Sequence, residues 1–390
     1  MRDGQASRCV FDESSIFCAT ASRSFVFVTG GAAERNDSPD PVSRSLRVMD
    51  AVDVDLIHAL QVAPRAAAAT IGEAIGVSEQ TVARRYDALH RGGVLRVVGI
   101  VDPGAFGLSE WVARIVCDPD KIDAIAASLV RRSDVGYAHI ASAGTELVCV
   151  LNTPVTEVQR LDLKGKLARS GGVHQLETSL LMHIFTRSRS EWSAFGRELP
   201  AGALDVLSAA AGHPFHGDGH RPTAHRAVDD RDVPLLEALT DDGRASFTTL
   251  AESTGSTVAR VRRRVRQLEV DGVLSYSVDI MPERLGAMVS ATLWMKTTPG
   301  GVRTAGQELA GHPEIAFSGA LAGEYNLIAV VICADVSALY EYVSTKLAAT
   351  TGIVQYAMSV RGRRLKQGSS IVAQGRLTPA QADRGRHPRG

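Results

Sequence analysis

The sequence predicts an α+β fold made of two copies of one module, each a winged helix-turn-helix followed by a ferredoxin-like βαββαβ domain. Three observations lead there. First, Asp53, Leu60, Arg65, Gly76, Leu89, Gly93, Val94 and Leu95 return 179 positions later as Asp232, Leu239, Arg244, Gly255, Leu268, Gly272, Val273 and Leu274. Pro103, Gly107 and Gly144 keep that offset to Pro282, Gly286 and Gly323. An offset held over so long a stretch cannot come from composition, and its period is that of a whole domain pair rather than of a solenoid repeat. Second, each copy opens with apolar residues at helical spacing on both sides of a glycine turn. Third, each copy then alternates apolar runs and helical patterns in the order βαββαβ.

The elements follow in order. Residues 1–48 show no sustained apolar period and are expected to be a disordered or mis-called extension, with Met49 as an alternative start. The first helix-turn-helix spans 49–96. Val54, Ile57 and Leu60 make one helical stripe, and the acidic first turn suits the helix dipole. A short helix ends at Gly76, where glycine tolerates a left-handed exit. Ser78 can then cap a third helix whose stripe is Val82, Tyr86 and Leu89. The second unit, 227–275, repeats this with Gly255, Thr257, and Val261, Val265 and Leu268. β-Branched runs at 96–101 and 275–280 follow as strands of a ribbon.

The βαββαβ domains are expected at 97–185 and 276–366. The first reads as strands at 111–116, 135–141, 147–151 and 173–182 with helices at 122–130 and 155–167. The second reads as strands at 287–295, 315–321, 325–333 and 353–361 with helices at 302–310 and 336–347. Two helices cover one sheet face, and the apolar open face needs a partner, for which the other copy is the nearest candidate. Residues 186–226, rich in Gly, Pro, Ser, Ala and His, read as a linker, and 367–390 as a disordered tail. A flexible linker of that length spans on the order of 35 Å, enough for either copy to dock.

Composition narrows the function. The 390 residues are 45% hydrophobic and 22% charged with a formal net charge of zero, an ordinary globular balance. Any affinity for nucleic acid must therefore come from local clusters. Five scattered cysteines oppose a disulfide framework and fit a reducing, cytoplasmic setting. No apolar run is long enough to span a membrane.

Opposite its buried stripe, the third helix of copy one carries Gln80, Thr81 and Arg84, and that of copy two carries Arg260, Arg263 and Gln267. Arg and Gln can pair with base edges in the major groove. Arg85, Arg262, Arg264 and Arg266 flank that face and suit phosphates; Ser78 and Thr257 sit at the helix starts. Charge differs between the copies. Residues 78–90 balance Arg84 and Arg85 against Glu79 and Asp87, whereas 257–269 set five arginines against Glu269 alone. The second helix should bind double-stranded DNA more tightly and with more salt dependence. Two recognition helices require half-sites about one helical turn or a multiple apart, and unequal contact residues predict an asymmetric site.

The residues Asp50-Ala-Val-Asp53, Ala74-Ile-Gly-Val-Ser78 and Asp102-Pro-Gly-Ala-Phe-Gly107 resemble the Lrp/AsnC family of feast/famine regulators. So do Asp229-Asp-Arg-Asp232 and Met281-Pro-Glu-Arg-Leu-Gly286 in copy two. Gly323-Glu-Tyr-Asn326 is similar to the family's Gly-x-Tyr-Asp turn between the middle strands. The resemblance implies a sequence-specific transcriptional regulator, sheets that pair, a small effector such as an amino acid, and further oligomerisation. It assigns effector binding to Gly323, Tyr325 and Asn326. Copy one has Gly144-Thr-Glu-Leu147 and lacks the aromatic. The family carries one module per chain, so a tandem pair implies an internal pseudo-dimer.

The rival class is enzymatic. Siroheme decarboxylases resemble this tandem architecture but carry segments of the His-Asn-Tyr-x-Arg type. The corresponding stretches here offer one histidine, His139, and no arginine, although an anionic tetrapyrrole needs cationic clamps. No phosphate loop or catalytic triad stands out, and the sequence assigns no cofactor. His213, His216, His220 and His225 crowd the linker without a defined metal-ligand spacing. A ligand-binding scaffold without DNA binding is the third class, which the arginines of the second recognition helix discriminate.

Overall fold

The computed structural model describes residues 49–156, 171–186, 192–193, 196–211 and 228–380. The expectations for 1–48, most of the 155–167 helix and the four linker histidines lie outside these residues.

The first helical unit is α1 (Ala51–Val62), α2 (Ala68–Ile75) and α3 (Glu79–Arg91). Asp50 and Asp53 form a reciprocal capping box at the start of α1, which satisfies backbone donors that would otherwise lack partners. Gly76 ends α2 at φ +72° and Ser78 caps α3 through the Thr81 N–H at 3.2 Å. Leu56, Ile57, Leu60, Ile71, Val82 and Leu89 meet in the core between the three helices. β1 (Leu95–Val101) follows, then the sheet strands and helix β2 (Ser109–Cys117), α4 (Ile122–Val130), β3 (Val135–Ala141), β4 (Glu146–Thr153) and β5 (Val173–Ile184).

Between the copies the chain is more than a linker. Helix α5 (Ala203–Ala211) lies against α1 and α2. Trp192 and Leu207 are buried in the first helical core, and the Trp192 indole donates to the Ile332 carbonyl at 3.1 Å. Arg197 pairs with Asp55 through two bonds. Trp192, Arg197 and Leu207 hold these described residues against the first helical unit, so this part of the expected linker is not a free spacer.

Copy two gives α6 (Val233–Asp241), α7 (Phe247–Thr254), α8 (Val258–Val270) and β6 (Leu274–Ile280). It continues with β7 (Val289–Thr297), α9 (Val302–Ala310), β8 (Ile315–Ala322), β9 (Leu327–Cys333), α10 (Val336–Tyr342) and β10 (Ile353–Gln367). Within the expected tail, the described residues form a hairpin, β11 (Ser370–Ala373) and β12 (Arg376–Pro379). Leu377 is buried and donates its N–H to the Gly93 carbonyl at 2.8 Å. Gly93 sits at φ +64°, and a β-carbon there would lie 2.8 Å from that of Arg376.

The ribbon after each helical unit differs from a wing in its partner. β1 pairs with β6 of the other copy, antiparallel, from Leu95↔Ile280 to Val101↔Leu274. Val98 faces Ser277 at the centre, and these two positions are themselves 179 apart, so a pseudo-two-fold axis passes between them. A strand with an apolar face and a free edge finds its most complementary partner in its own duplicate.

The sheets also join differently from simple face-to-face stacking. β5 pairs with β8, β10 pairs with β3, and eight strands close in the order β10-β3-β4-β2-β5-β8-β9-β7, with β7 returning to β10. Closure leaves those strands without a free edge. Val112, Val148 and Leu181 of copy one meet Trp294, Leu321 and Ile328 of copy two in one core. The open faces are therefore covered, as their apolar character requires, but the edges carry the junction.

Candidate nucleic-acid interface and ligand cavity

The two helical units are tied by crossed arginines. Arg65 sends one guanidinium nitrogen to the Gly243 carbonyl and the other to that of Ala245, at 3.1 Å. Arg244 reciprocates to the carbonyls of Pro64 at 2.6 Å and Ala66 at 2.9 Å. The acceptors 64 and 66 and the acceptors 243 and 245 are again 179 apart, so the contact is isologous, the same patch used twice. Arg65 also lies over the rings of Phe247 and Tyr276 at 5.1 and 5.4 Å, and Arg244 over Tyr86 at 5.0 Å. Burial pushes the Tyr86 phenol up to about 12 despite the nearby Arg244 charge. Tyr86 packs against the first helical core, as expected, and also serves the junction.

On α3, Gln80 and Arg84 are exposed and Thr81 is half-buried beside Ser78. Arg85 is not available as expected. It bonds Asp50 at 2.5 Å and Asp53 at 3.0 Å with its side chain 15% exposed. These hydrogen bonds hold the guanidinium above its ordinary range. Arg264 does the same in copy two, gripping Asp232 through Nε at 2.7 Å and through Nη2, and holds that carboxyl below its usual value. Both arginines brace the third helix against the start of the first, which is a structural role and a correction to the phosphate assignment. Gln267 gives its amide to Asp271 at 2.7 Å, so base readout by this residue is corrected as well. Arg262 is exposed but stacked on Phe247 at 5.1 Å.

What remains on α8 is Arg260, Arg263 and Arg266, all exposed, with Thr257 capping the helix through the Arg260 N–H. At the 179 offset, Arg260 corresponds to Thr81, Arg263 to Arg84, and Arg266 to Asp87. Only one of these exposed positions keeps its residue between copies. The surface that faces away from the paired core is cationic in copy two and neutral in copy one.

A cavity of about 240 Å³ opens where the β8–β9 turn of copy two meets β2 and β5 of copy one. Gly323, Glu324 and Tyr325 approach from one side, and Arg114, Glu177 and Ser179 from the other, with Trp294 between. A β-carbon at 323 would meet the Ser179 hydroxyl, so any larger residue there would have to turn that hydroxyl aside. Arg114 stands over the Trp294 ring at 5.3 Å. Two of the three expected effector residues line this cavity. Asn326 does not. Its amide accepts from the Thr297 N–H at 2.8 Å and donates to the Thr297 carbonyl at 3.0 Å, which anchors the turn to β7. The copy-one residues Arg114, Glu177 and Ser179 lay outside the sequence expectation because a cross-copy site leaves no local motif.

His139 is buried between Thr292, with Oγ1 3.3 Å from Nε2, and Arg361, with Nη2 3.2 Å from Nδ1. Burial and the cationic Arg361 and Arg364 hold the imidazole well below its ordinary value. The arginine missing from its own strand is thus supplied by β10, yet the pair is enclosed in the sheet junction.

Paired helix-turn-helix units on an axis, joined to a strand-closed core with a small inter-copy cavity, define a tandem DNA-binding module with a ligand domain. The sequence comparisons agree. The AsnC-type helix-turn-helix domain matches residues 49–90 and 228–269, and the Lrp/AsnC ligand binding domain matches 290–371. The HTH-type transcriptional regulator LrpA1 of Halobacterium salinarum is 33% identical over 137 residues, 34% of this chain and 94% of that protein. The HTH-type transcriptional regulator LrpA of Pyrococcus horikoshii is 26% identical over 140 residues, 36% of this chain and 99% of that protein. The chain belongs to the Lrp/AsnC family of transcriptional regulators. The solved siroheme decarboxylase NirDL is similar over 81% of this chain and 92% of its own, with a TM-score of 0.53 at 12% identity. That likeness is one of fold, and it spans both modules.

Proposed function

We propose that this DNA-binding regulator reads an asymmetric operator through α3 and α8 and responds to one small effector held in the inter-copy cavity. The observation that carries the proposal is the pair of recognition helices fixed about one axis by the crossed arginines while exposing different residues. Gln80, Thr81 and Arg84 would read one half-site weakly, and Arg260, Arg263 and Arg266 the other strongly. Bases are read by side-chain fork geometry and phosphates by charge.

A cation at Arg114, a carboxylate at Glu177 and apolar walls from Val112, Leu321 and Tyr325 favour a zwitterion of amino-acid size. The cavity falls below the roughly 300–1,000 Å³ of pockets for drug-sized ligands, which disfavours a tetrapyrrole. We accordingly read no catalytic activity. The buried thiols of Cys117, Cys149 and Cys333 suit a reducing cytoplasm, and among the described residues no helix is long and apolar enough to cross a membrane. Exposed Val354, Tyr356, Met358 and Val360 along one face of β10 favour self-association beyond one chain.

The test is binding-site selection from random duplex DNA, followed by half-site swapping. An asymmetric optimum whose stronger half is lost with Arg263→Ala supports the reading. A palindromic optimum overturns it. A haem-type absorbance band in the purified protein would favour the enzymatic alternative.

A further inference from the structure

The pseudo-two-fold that creates the cavity must create a second, equivalent position, and the two are not alike. In the sheet strands the offset between copies is 180 rather than 179, since Ala113, Ile115, Leu147 and Cys149 of one core answer to Leu293, Met295, Leu327 and Ala329 of the other. Val112 pairs with Ser179 across β2 and β5, as Thr292 pairs with Ser359 across β7 and β10. Arg114 pairs with Glu177 in the first copy, as Trp294 pairs with Ala357 in the second. The mates of the cavity residues Ser179 and Arg114 are therefore Ser359 and Trp294. At that mated position the space holds the side chain of Glu146, which is 3% exposed.

Its carboxylate is fully engaged. It accepts from the Ser359 hydroxyl at 2.8 and 3.0 Å, from the Ser142 hydroxyl at 2.8 Å, and from Arg114 Nε at 2.8 Å. The Trp294 indole donates to Ser359 Oγ at 3.0 Å. Arg114 and Trp294 belong to both positions at once, because both also line the open cavity. With Nε fixed by Glu146 and its plane laid over Trp294, the Arg114 guanidinium is oriented before any ligand arrives. Pre-orientation of a fork-shaped donor favours two-point recognition of a carboxylate.

We propose that the chain binds one carboxylate-bearing ligand rather than two, because Glu146 fills the second position with its own carboxylate and holds Arg114 for the first. This rests on the effector reading of the cavity. Glu146 marks by example what the open position takes: a carboxylate beside a serine hydroxyl and the shared arginine. Consistent with this division, the match to the Lrp/AsnC ligand binding domain falls in copy two, at 290–371. Glu146 is a positioning residue for Arg114, not a contact to the ligand.

Two measurements on the full chain separate the parts. In the first, acetate is added to Glu146→Ala, whose vacated space suits that anion. Acetate at ten times its dissociation constant should raise Tm by about 2 °C, and at that concentration should shift the unsubstituted chain and Glu146→Gln, in which only the open position can take the anion, by less. Absence of that shift in a folded Glu146→Ala protein overturns the filled-position assignment. In the second, each of the twenty L-amino acids is titrated calorimetrically, with the decarboxylated amine of any that binds as a control. One ligand per chain, at least tenfold weaker binding in Glu146→Ala, disappearance of the preference for the acid over the amine, and recovery of both with acetate are expected. Two ligands per chain, or unchanged affinity and preference in Glu146→Ala, overturns the proposal. Failure of all twenty to bind the unsubstituted chain instead overturns the effector reading, while the acetate result still decides the role of Glu146.

Discussion

Replacing Arg244 by alanine removes two hydrogen bonds from a charged donor to the carbonyls of Pro64 and Ala66. Each bond of that kind is worth about 1.5–3 kcal/mol. Packing on the Tyr86 ring adds about 0.5–1 kcal/mol. Against this, truncation releases about 2 kcal/mol of side-chain entropy. The net cost is about 3 kcal/mol, and Arg65→Ala should cost a similar amount, since its partners mirror these. Arg244→Lys should recover less than half, because a point cation cannot span two carbonyls two residues apart. Urea unfolding followed by circular dichroism measures the stability. The functional consequence is read in parallel, using duplexes whose half-site spacing varies by single base pairs. The intact chain should bind one spacing best, and the Arg65→Ala/Arg244→Ala chain should tolerate several. A drop in stability below about 1 kcal/mol with the spacing preference unchanged would refute the assignment of these arginines as the clamp that sets helix geometry.

Other outcomes follow from the same geometry. Changing Arg260, Arg263 and Arg266 to alanine should flatten the dependence of log affinity on log salt by about 0.9 for each phosphate no longer neutralised, while Arg84→Ala, a single charge, changes it by no more than one such step. Gel-shift titrations at four salt concentrations check this. Asp279 is buried, its Oδ2 accepts from Ser370 at 2.7 Å, and burial raises its carboxyl to about 7. The folded state therefore holds this proton more tightly than the unfolded one, and the stability it supplies is present below pH 4 and fades as pH rises through about 7. Urea unfolding at pH 5 and pH 8 should show Asp279→Asn gaining stability relative to the unsubstituted chain at the higher pH. Gly93→Ala should undock the C-terminal hairpin, because the added carbon meets Arg376 and the left-handed backbone disfavours it. Faster hydrogen exchange at Leu377, with the recognition helices unaffected, is the expected signature.

The duplication, the helix-turn-helix units and the order of strands were legible because each rests on local spacing. The partners of those strands were not. Nothing local in 96–101 distinguishes a wing from a strand that pairs with its duplicate, and only the register of Val98 on Ser277 decides it. Arg85 and Arg264 illustrate a readable signal that went to the wrong role. Each lies 32 residues after an aspartate, Asp53 or Asp232, in both copies. That coincidence points to an internal ion pair, whereas the helical wheel alone points to DNA. Arg65 and Arg244 likewise stood out as repeated residues, but their carbonyl acceptors carry no side-chain signature. The cavity was half visible, through Gly323 and Tyr325. Its other wall comes from strands some 140 to 210 residues earlier in the chain, beyond the reach of any motif. Trp192 and the β11–β12 hairpin were hidden because short apolar anchors in glycine- and proline-rich stretches look like linker.

The crossed arginines and the shared ribbon also change how such a reader responds to scarcity. Two separate subunits must find each other before they can grip a two-part operator, so their occupancy falls with the square of concentration once dimers begin to part. Here both halves lie on one chain, and a tether alone supplies an effective concentration on the order of millimolar. Occupancy of the operator should then fall only in first order on dilution. A few molecules suffice to keep the paired state intact, so pairing no longer depends on how much protein is present.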